Sequence, residues 1–499
     1  MRDPLVDADL GALASACGDL LMRLEGESTV RITGVEFDSR RAGPGDLFFC
    51  VPGHTTDGHD FAPQAAAAGA EALCVERPLG LGVPELQVSS VRAAMPLVSS
   101  AAFSAPASKL DMLAVTGTNG KTTTTYLIDA ILREAGRTAG LIGTIETRIG
   151  EERRPGIRTT PESLDLQRLL AEMVSRGVDS VAMEVTSHAL VLNRVDGVRF
   201  RSAVFTNLTQ DHLDFHHDME TYFLAKRSLF TPERAEQGAV NVDDPFGERI
   251  RDEAEIPVIG FGTSGAAEVR AWEVEMQASG SSFTVVCPQG DFHVTTSLVG
   301  PFNVSNCLAA ASCALQAGIS PEHISSGLAG LKNVPGRFES VDAGQPFAVV
   351  VDYAHTPDSL ENVLGAAKRL ALSSGGRVVC VFGAGGDRDR SKRPLMGMAA
   401  ARLADYVIVT SDNPRSEVPE AIVGEILEGV LVERTSGPDA TLVDRREAIV
   451  HALHEAKPND IVVIAGKGHE TGQQFKDHTI PFDDRSVARE VLAELGAAR

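Results

Sequence analysis

Residues 114–132 read AVTGTNGKTTTTYLIDAIL, and the fold class hangs on what the turn inside them is for. Upstream, DMLAVTG (111–117) has the small and β-branched composition of a buried strand. Downstream, TTTTYLIDAILREAG reads as a helix, with Gly136 just past its last periodic residue, where a left-handed cap belongs. A strand, a tight turn holding Gly117 and Gly120, and then Lys-Thr at a helix start form the context a phosphate loop requires. Backbone N–H groups of Gly117, Thr118, Asn119 and Gly120 would cradle the phosphates, with Thr123 following in the first helical turn. Lys121 would reach the β/γ oxygens, and the Thr122 hydroxyl would ligate Mg²⁺. The usual spacing puts a glycine at position 115, where Val115 stands, so the loop is shorter rather than broken. The bland alternative is a Ser/Thr-rich helix cap with an exposed lysine. Gly-x-x-Gly-Lys-Thr between a strand and a helix is too demanding a pattern for it.

Outward from this loop, apolar strands and amphipathic helices alternate: TAGLIGT, then LDLQRLLAEMVSRG as helix, then SVAMEVTS and SAVFTNLT as strands. That is the pattern of a mostly parallel α/β sheet. SAPASKLDM (104–112) is a small-residue joint before it, and LKNVPGRFES (331–340) is a joint after it. Beyond the second joint the alternation restarts with FAVVVDYA, RVVCVFGAGG, YVIVTSDNPR and DIVVIAGKGHE. Before the first lie short strands, RITGVEFDS, GDLFFCV and ALCVE, and an alanine-rich helix around Pro63 to Gly69. The expected organisation is α/β with three domains: 1–108, small; 109–335, P-loop ATPase-like; and 336–499, Rossmann-like. Three domains suit 499 residues, too many for one core.

A formal charge of −22 argues against nucleic-acid binding, which needs a basic surface, so an anionic ligand requires a locally basic site. The seven cysteines are scattered without a C-x-x-C pair, so buried reduced thiols of a cytoplasmic enzyme are expected. No membrane span is expected, and the amino-terminal residues lack the basic and apolar regions of a secretory signal.

Glu184 and His188 close the SVAMEVTSH strand at its carboxyl end, where open α/β sheets bind ligands. NLTQDHLDFHH follows no zinc spacing; His212 joining carboxylates around Mg²⁺ is the better reading, with His216 and His217 as solvated loop residues. GAGGDRDRSKRP begins like a dinucleotide fingerprint but carries Arg388 at the third glycine position, which argues against a nicotinamide site. The carboxyl ends of the last strands place Asn413, Pro414, Arg415 and Glu470 in one crevice with Arg388, a set suited to a ligand with amine and carboxylate groups.

GTNGKTT, EVTSH, NLTQDHLDFH, GPFNVSN, PGRFE, DYAHTPDSL, GAGGDRDRSKRPLMG, DNPR and GKGHE occur in the order found in the Mur ligases, and the chain resembles that family over nearly its whole length. The phosphate loop is shared across the superfamily, including folylpolyglutamate synthases, whereas FDSR, DNPR and GKGHE are more specific. The resemblance implies an ATP- and Mg²⁺-dependent ligase of peptidoglycan synthesis. It would join meso-diaminopimelate to the D-Glu γ-carboxylate of UDP-N-acetylmuramoyl-L-alanyl-D-glutamate, as a monomer binding small molecules. Phe37, Ser39, His54, Thr55 and Thr56 would contact the UDP-sugar in the amino-terminal domain. Thr159, Thr160, Thr186, Leu192 and Arg194 would hold the muramoyl peptide. Thr122, Glu184 and His212 would serve two Mg²⁺ ions, helped by Lys226 as a carbamate, although residue type alone makes Lys226 an ordinary solvated lysine. Asn303, Arg337, Asp352 and His355 would surround the nucleotide. Arg388, Asp412, Asn413, Pro414, Arg415, Gly466 and Glu470 would bind the amino acid, with Arg415 on its distal carboxylate and Asn413 accepting from its distal ammonium.

Two positions depart from the family pattern. Leu192 stands where glutamine is usual, with Asn193 as a candidate replacement, and Arg158 replaces an asparagine and is free to reach a phosphate. A lysine-adding or folylpolyglutamate-type ligase is the nearest rival; a P-loop kinase or a non-catalytic ATP switch leaves DNPR and GKGHE unexplained.

Overall fold

The computed structural model describes residues 6–53, 55–277 and 279–497. Its architecture is three α/β units built on sheets of five, eleven and six strands.

In the amino-terminal unit the strands run in the order Leu21–Glu25, Glu85–Val88, Ala72–Val75, Asp46–Phe49 and Gly34–Glu36, all parallel except the first. RITGVEFDS, expected as one strand, is split. Arg31–Ile32 pairs with Ala8–Asp9, while Gly34–Glu36 joins the main sheet. The carbonyl of Gly45 takes the N–H groups of both Thr33 and Gly34, which bends the chain between the two sheets. Helices Leu10–Ala16 and Val91–Ala102 cover one face, and their core includes Leu164 and Ala171 from a helix of the next unit.

The central sheet has a parallel middle: Ala139–Ile142, Ser180–Glu184, Asp111–Thr116, Ser202–Phe205, Gly238–Asn241 and Val258–Gly262 lie side by side. Its central strand is buried on both faces. Leu113 and Val115 pack under helices Lys121–Glu134 and Pro301–Gln316, while Met112 and Ala114 pack against Ser163–Ser175. Double burial explains why the sequence reads as a continuous apolar run rather than an alternating one. Both edges turn antiparallel, at Glu146–Ile149 with Glu152–Pro155, and at Val269–Gln277 with Gly280–Val286 and Phe292–Thr296. The strands between residues 238 and 296 were not anticipated from sequence. Val269–Gln277 carries little alternation because it exposes most of its second half, Trp272 included.

In the last unit the order is Glu339–Ser340, Ala348–Asp352, Ile461–Ala465, Val378–Phe382, Tyr406–Val409 and Ala440–Thr441. Of these six, the strand latest in sequence, Ile461–Ala465, is thus inserted between the second and third, and the four middle strands are parallel. That insertion puts the segments after Ala465, Phe382 and Val409 side by side at the carboxyl edge, the position where open α/β sheets bind ligands. All seven cysteines are buried and free, as expected. Among the described residues no helix is long and apolar enough to cross a membrane.

Candidate active site

The turn after Asp111–Thr116 can exist only with its glycines. Gly117 (φ +148°) and Gly120 (φ +85°) adopt backbone that L side chains avoid. A Cβ at either would overlap Thr206 or Asn306. The helix starts at Lys121 and ends at Glu134, and Gly136 sits at φ +76°, so the left-handed cap falls where its spacing placed it. Thr118 Oγ1 lies 3.1 Å from the Tyr222 hydroxyl, and the Asn119 N–H donates to Asn207 Oδ1 (2.9 Å). Lys121 Nζ donates to the carbonyls of Gly117 (2.9 Å) and Thr118 (2.8 Å), folding back over the turn it serves. Burial lowers its pKa, opposed by Glu184 and Asp211. Thr123 is buried in the first turn.

Beside the turn, Thr122 Oγ1 donates to Glu184 Oε2 (3.1 Å), and Glu184 also accepts from Thr144 N (2.8 Å) and Thr144 Oγ1 (3.0 Å). His212 has a left-handed backbone (φ +55°), and its ring packs edge-on to His188 at 4.8 Å. Burial, against the pull of Asp211, pushes His212 down to about 3, so its ring nitrogen keeps a lone pair at neutral pH. Lys226 is 1% exposed. Its Nζ donates to Gly117 O (2.8 Å) and lies over the Tyr222 ring at 4.7 Å, with its pKa driven well down by burial and by neighbouring Lys121. The solvated-lysine reading of Lys226 fails because its helix, Met219–Arg227, turns that face onto the phosphate turn. The same correction applies to His216. It is buried, its Nε2 lies 2.9 Å from Ser187 Oγ, and its ring stacks on Tyr222, whereas His217 is exposed as read.

Residues of the last unit reach this centre directly. Arg337 donates to Thr122 Oγ1 (3.2 Å) and stacks on Tyr353 at 4.3 Å. Asn119 Nδ2 donates to Asp358 Oδ2 (2.8 Å), which ties the phosphate turn to the Pro357–Ser374 helix. Asp352 accepts from Phe338 N (2.6 Å) and Ala354 N (2.7 Å), so it orients the Arg337 segment. His355 Nδ1 lies 2.8 Å from Tyr353 O, and burial lowers its pKa to about 4. Asn303 donates to Val299 O and accepts from Asn306, the residue beside Gly120. Sequence reasoning missed Lys392, 6% exposed at the start of Lys392–Leu403, with no hydrogen bond or ion pair to any described residue. The adjacent Ser391 accepts from Gln210 Nε2 (3.4 Å), and Asp211 and Asp412 act on the Lys392 charge. A lone lysine in a D-R-D-R-S-K-R run gives no signal of burial.

At the carboxyl edge of the last sheet, Lys467, fully buried, donates to Asn413 Oδ1 (2.9 Å) and Glu470 Oε2 (3.2 Å). Asn413 Nδ2 donates to Glu470 Oε2 (2.8 Å), and Gln474 N donates to Asn413 Oδ1 (2.9 Å). Asn413 therefore has its acceptor consumed inside the protein, which overturns its expected role as acceptor for a ligand ammonium. Asp412 is buried, its Oδ1 without a hydrogen bond but 3.7 Å from Lys467 Nζ, and its Oδ2 lies close to Gly466 (φ +120°). Pro414 is buried, and Arg415 (φ +52°) gives one N–H to Gly386 O (2.7 Å) and has no carboxylate partner among the described residues. Arg388 is exposed and donates to the neighbouring Asp387 carbonyl (3.0 Å).

The remaining substrate candidates belong to the central and amino-terminal units. Thr160 Oγ1 donates to Glu184 O (2.9 Å) and accepts from Thr186 N (3.1 Å), while Thr159 and Thr144 hydroxyls lie 3.0 Å apart. Arg194 pairs with Glu162 (2.7 Å), as does the exposed Arg158 (2.7 Å), with Arg92 at 3.8 Å. Leu192 ends the Ser187–Val191 helix, and Asn193 donates to Asp196 Oδ2 (2.7 Å). Phe37 packs against the amino-terminal core, Ser39 donates to Gln64 (3.1 Å), and Thr55 and Thr56 are exposed. His54 lies outside the described residues.

A glycine-built phosphate turn, a buried Thr-Glu pair and a charged crevice on a second sheet define a protein that couples a nucleotide to a small polar ligand. Three family models match the chain in sequence order: the Mur ligase family catalytic domain over 31–109, the Mur ligase middle domain over 115–314, and the Mur ligase glutamate ligase domain over 336–468. The chain belongs to the Mur ligase family. It is 49% identical to the UDP-N-acetylmuramoyl-L-alanyl-D-glutamate–2,6-diaminopimelate ligase of Geobacillus kaustophilus, over 93% of this chain and 96% of that one. It is equally 49% identical to the Syntrophomonas wolfei protein of the same name, over 92% and 94%. A solved structure titled as that ligase superposes with a TM-score of 0.70 at 32% identity, covering 98% of this chain and 99% of the other.

Proposed function

We propose that this ligase joins meso-diaminopimelate to the γ-carboxylate of D-Glu in UDP-N-acetylmuramoyl-L-alanyl-D-glutamate, forming ADP and phosphate, as a step of peptidoglycan synthesis in the cytoplasm. The observation that carries the choice of amino acid is Arg415. Its planar fork has one carbonyl partner and no carboxylate, in the same crevice wall as Glu470. A lysine ligand would leave that guanidinium with only the more distant Asp387 carboxylate, whereas the second carboxylate of diaminopimelate answers it bidentately.

The reaction begins when the substrate γ-carboxylate oxygen attacks the γ-phosphorus of ATP and the bond to ADP breaks. The ligand amine then attacks the acyl carbon, phosphate leaves with the bonding pair, and the ammonium proton passes to solvent. Lys121, already poised over the turn, shifts from its two carbonyls to the transferring phosphoryl oxygens. The backbone from Gly117 to Gly120 and the following helix start hold the other phosphates. Glu184 and Thr122 are hard oxygen donors 3.1 Å apart, and His212 is held neutral, a set that suits Mg²⁺ sharing phosphate ligands with ATP. Bound there, Mg²⁺ would neutralise phosphate charge. Lys226 is buried without a carboxylate partner, so its amine can add to CO₂, lose a proton and present a carbamate oxygen at this centre.

Arg337, Asp352, His355 and Asn303 are assigned to the nucleotide, and Thr159, Thr160, Thr186 and Arg194 to the muramoyl peptide. Phe37, Ser39, Thr55 and Thr56 are assigned to the UDP-sugar. The corresponding domains are 1–108, 109–335 and 336–499, a division supported by family matches that stop at 109 and resume at 115 and 336. Closure of the three excludes water from the acyl phosphate. The test is phosphate release from ATP in the presence of the UDP-muramoyl dipeptide, with meso-diaminopimelate or L-lysine as the only amino acid. Comparable efficiency with L-lysine overturns the assignment.

A further inference from the structure

Lys467 lies in the GKGHE segment yet has no place in the chemistry described above. It is 0% exposed, and its ammonium meets three groups: Asn413 Oδ1 at 2.9 Å, Glu470 Oε2 at 3.2 Å and Asp412 Oδ1 at 3.7 Å. Amide nitrogen and oxygen are normally exchangeable by a flip of the side chain. Here the flip is forbidden. Both atoms facing Asn413 Oδ1, the Lys467 ammonium and the Gln474 backbone N–H, can only donate. Glu470 Oε2, facing Asn413 Nδ2, can only accept while ionised. Three neighbours of fixed polarity therefore lock one orientation, and the two lone pairs of Oδ1 are both used.

What remains available on Asn413 is its second N–H, which makes no hydrogen bond among the described residues. What remains on Glu470 is Oε1, since both bonds it accepts end on Oε2. The Glu470 side chain is 30% exposed, so that oxygen borders the crevice while the lysine behind it does not.

We propose that Lys467 is a positioning residue that sets the polarity of the amino-acid site. By holding Asn413 in one orientation, it makes Asn413 a donor for a carboxylate of the incoming amino acid, and it leaves Glu470 to receive the adjacent ammonium. This rests on the reading of the crevice as the amino-acid site. It also deepens that reading, because an α-amino-carboxylate head presents both charges on one carbon and needs a donor and an acceptor side by side.

The decisive variant is Asn413→Asp in the full-length enzyme. Aspartate keeps the bond to Lys467, but, whether ionised or sharing a proton with Glu470, it offers a ligand no N–H. The KM for meso-diaminopimelate is expected to rise about 30-fold or more, with the KM values for ATP and the UDP-muramoyl dipeptide unchanged. If Asn413 instead accepts from a ligand ammonium, the added negative charge holds that KM or lowers it, and the proposal is wrong. Lys467→Met removes the ammonium while keeping length and burial. It is expected to raise the same KM about 10-fold while leaving the KM for ATP in place, because the amide is freed to turn. A folded Lys467→Met enzyme with an unchanged KM for the amino acid also overturns the proposal. If Lys467→Met does not fold, Asn413→Asp decides alone. Failure of the underlying reading looks different: the unmutated enzyme then releases phosphate without dependence on an added amino acid, or the variants shift the KM of ATP or the dipeptide instead.

Discussion

Lys226 in the central sheet unit and Lys467 in the last are both excluded from water, and they are satisfied in opposite ways. Lys226 has one carbonyl, an aromatic face and a second lysine for company. Lys467 has an amide oxygen and two carboxylates within 4 Å. The nearby Arg445–Asp484 pair, fully buried and bidentate, continues that pattern of internal pairing in the last unit. A buried cation without a counter-charge is expensive, so a protein keeps one only where something else completes it. The central unit leaves Lys121 for a polyanion to complete and Lys226 for CO₂ to modify. The last unit prepares alternating charges for a zwitterion, which brings no net charge of its own.

That contrast orders the consequences of mutation. Lys121→Ala removes the cation that meets charge developing on the phosphoryl group. Turnover is expected to fall by about 10²-fold or more with the fold intact, measured as ADP formation alongside circular dichroism. Near-normal turnover would remove the glycine turn from the reaction. Lys226→Ala deletes a group whose work needs covalent modification. Its loss is expected to be of similar order, with partial recovery on adding formate or acetate, which supply a carboxylate oxygen to the vacated volume. Full activity without additives returns Lys226 to a packing role.

Arg415→Ala probes the pre-paired unit and should act on selection more than on speed. Efficiency with meso-diaminopimelate is expected to drop by about 10²-fold, while the low efficiency with L-lysine changes little, since L-lysine has no second carboxylate for Arg415 to meet. Equal losses for the two amino acids would make Arg415 a structural residue of its loop.

The two regions also differed in how far they could be read from sequence. The phosphate turn is spelled by local constraints: Gly117 and Gly120 must be glycines, Lys121 must follow, and each requirement is visible within a few positions. The burial of Lys226 is set by a helix that packs from a hundred residues away, and no local pattern marks it. His216 was misread for the same reason, since its hydrogen bond to Ser187 reaches back 29 positions. In the last unit, strand composition placed Asn413, Arg415 and Glu470 at one sheet edge. The polarity of Asn413 was read backwards because it depends on which atoms of Lys467 and Gln474 face it. The central antiparallel extension escaped notice because half of its first strand is exposed.

The smallest effect belongs to a pair that serves neither ligand. Arg393 has a fully buried side chain and holds Glu417 (2.7 Å) and Glu425 (2.8 Å), bracing the loop that carries Arg388 against the Pro419–Glu433 helix. The Arg393 hydrogen bonds lower the Glu417 carboxyl from 4.5 to about 2. A carboxylate whose folded pKa is depressed stabilises the fold fully above its unfolded value and loses that contribution as pH falls through the folded one. The contribution of Glu417 is therefore whole above pH 4.5 and fades toward pH 2. Glu417→Gln leaves Arg393 with Glu425, so the net loss at pH 7 is expected to be only about 1 kcal/mol. For a unit of this size that lowers Tm by about 2–4 °C. Between pH 4.5 and 2 the difference between Glu417→Gln and the unmutated protein should shrink, since protonation does to Glu417 what the substitution has already done. A gap in Tm that stays constant down to pH 2 would mean that the pair contributes through packing rather than charge. Internally paired ions would then belong to the shape of the last unit, not to its electrostatics, and the contrast with the unpaired lysines of the central unit would rest on Lys467 and its neighbours alone.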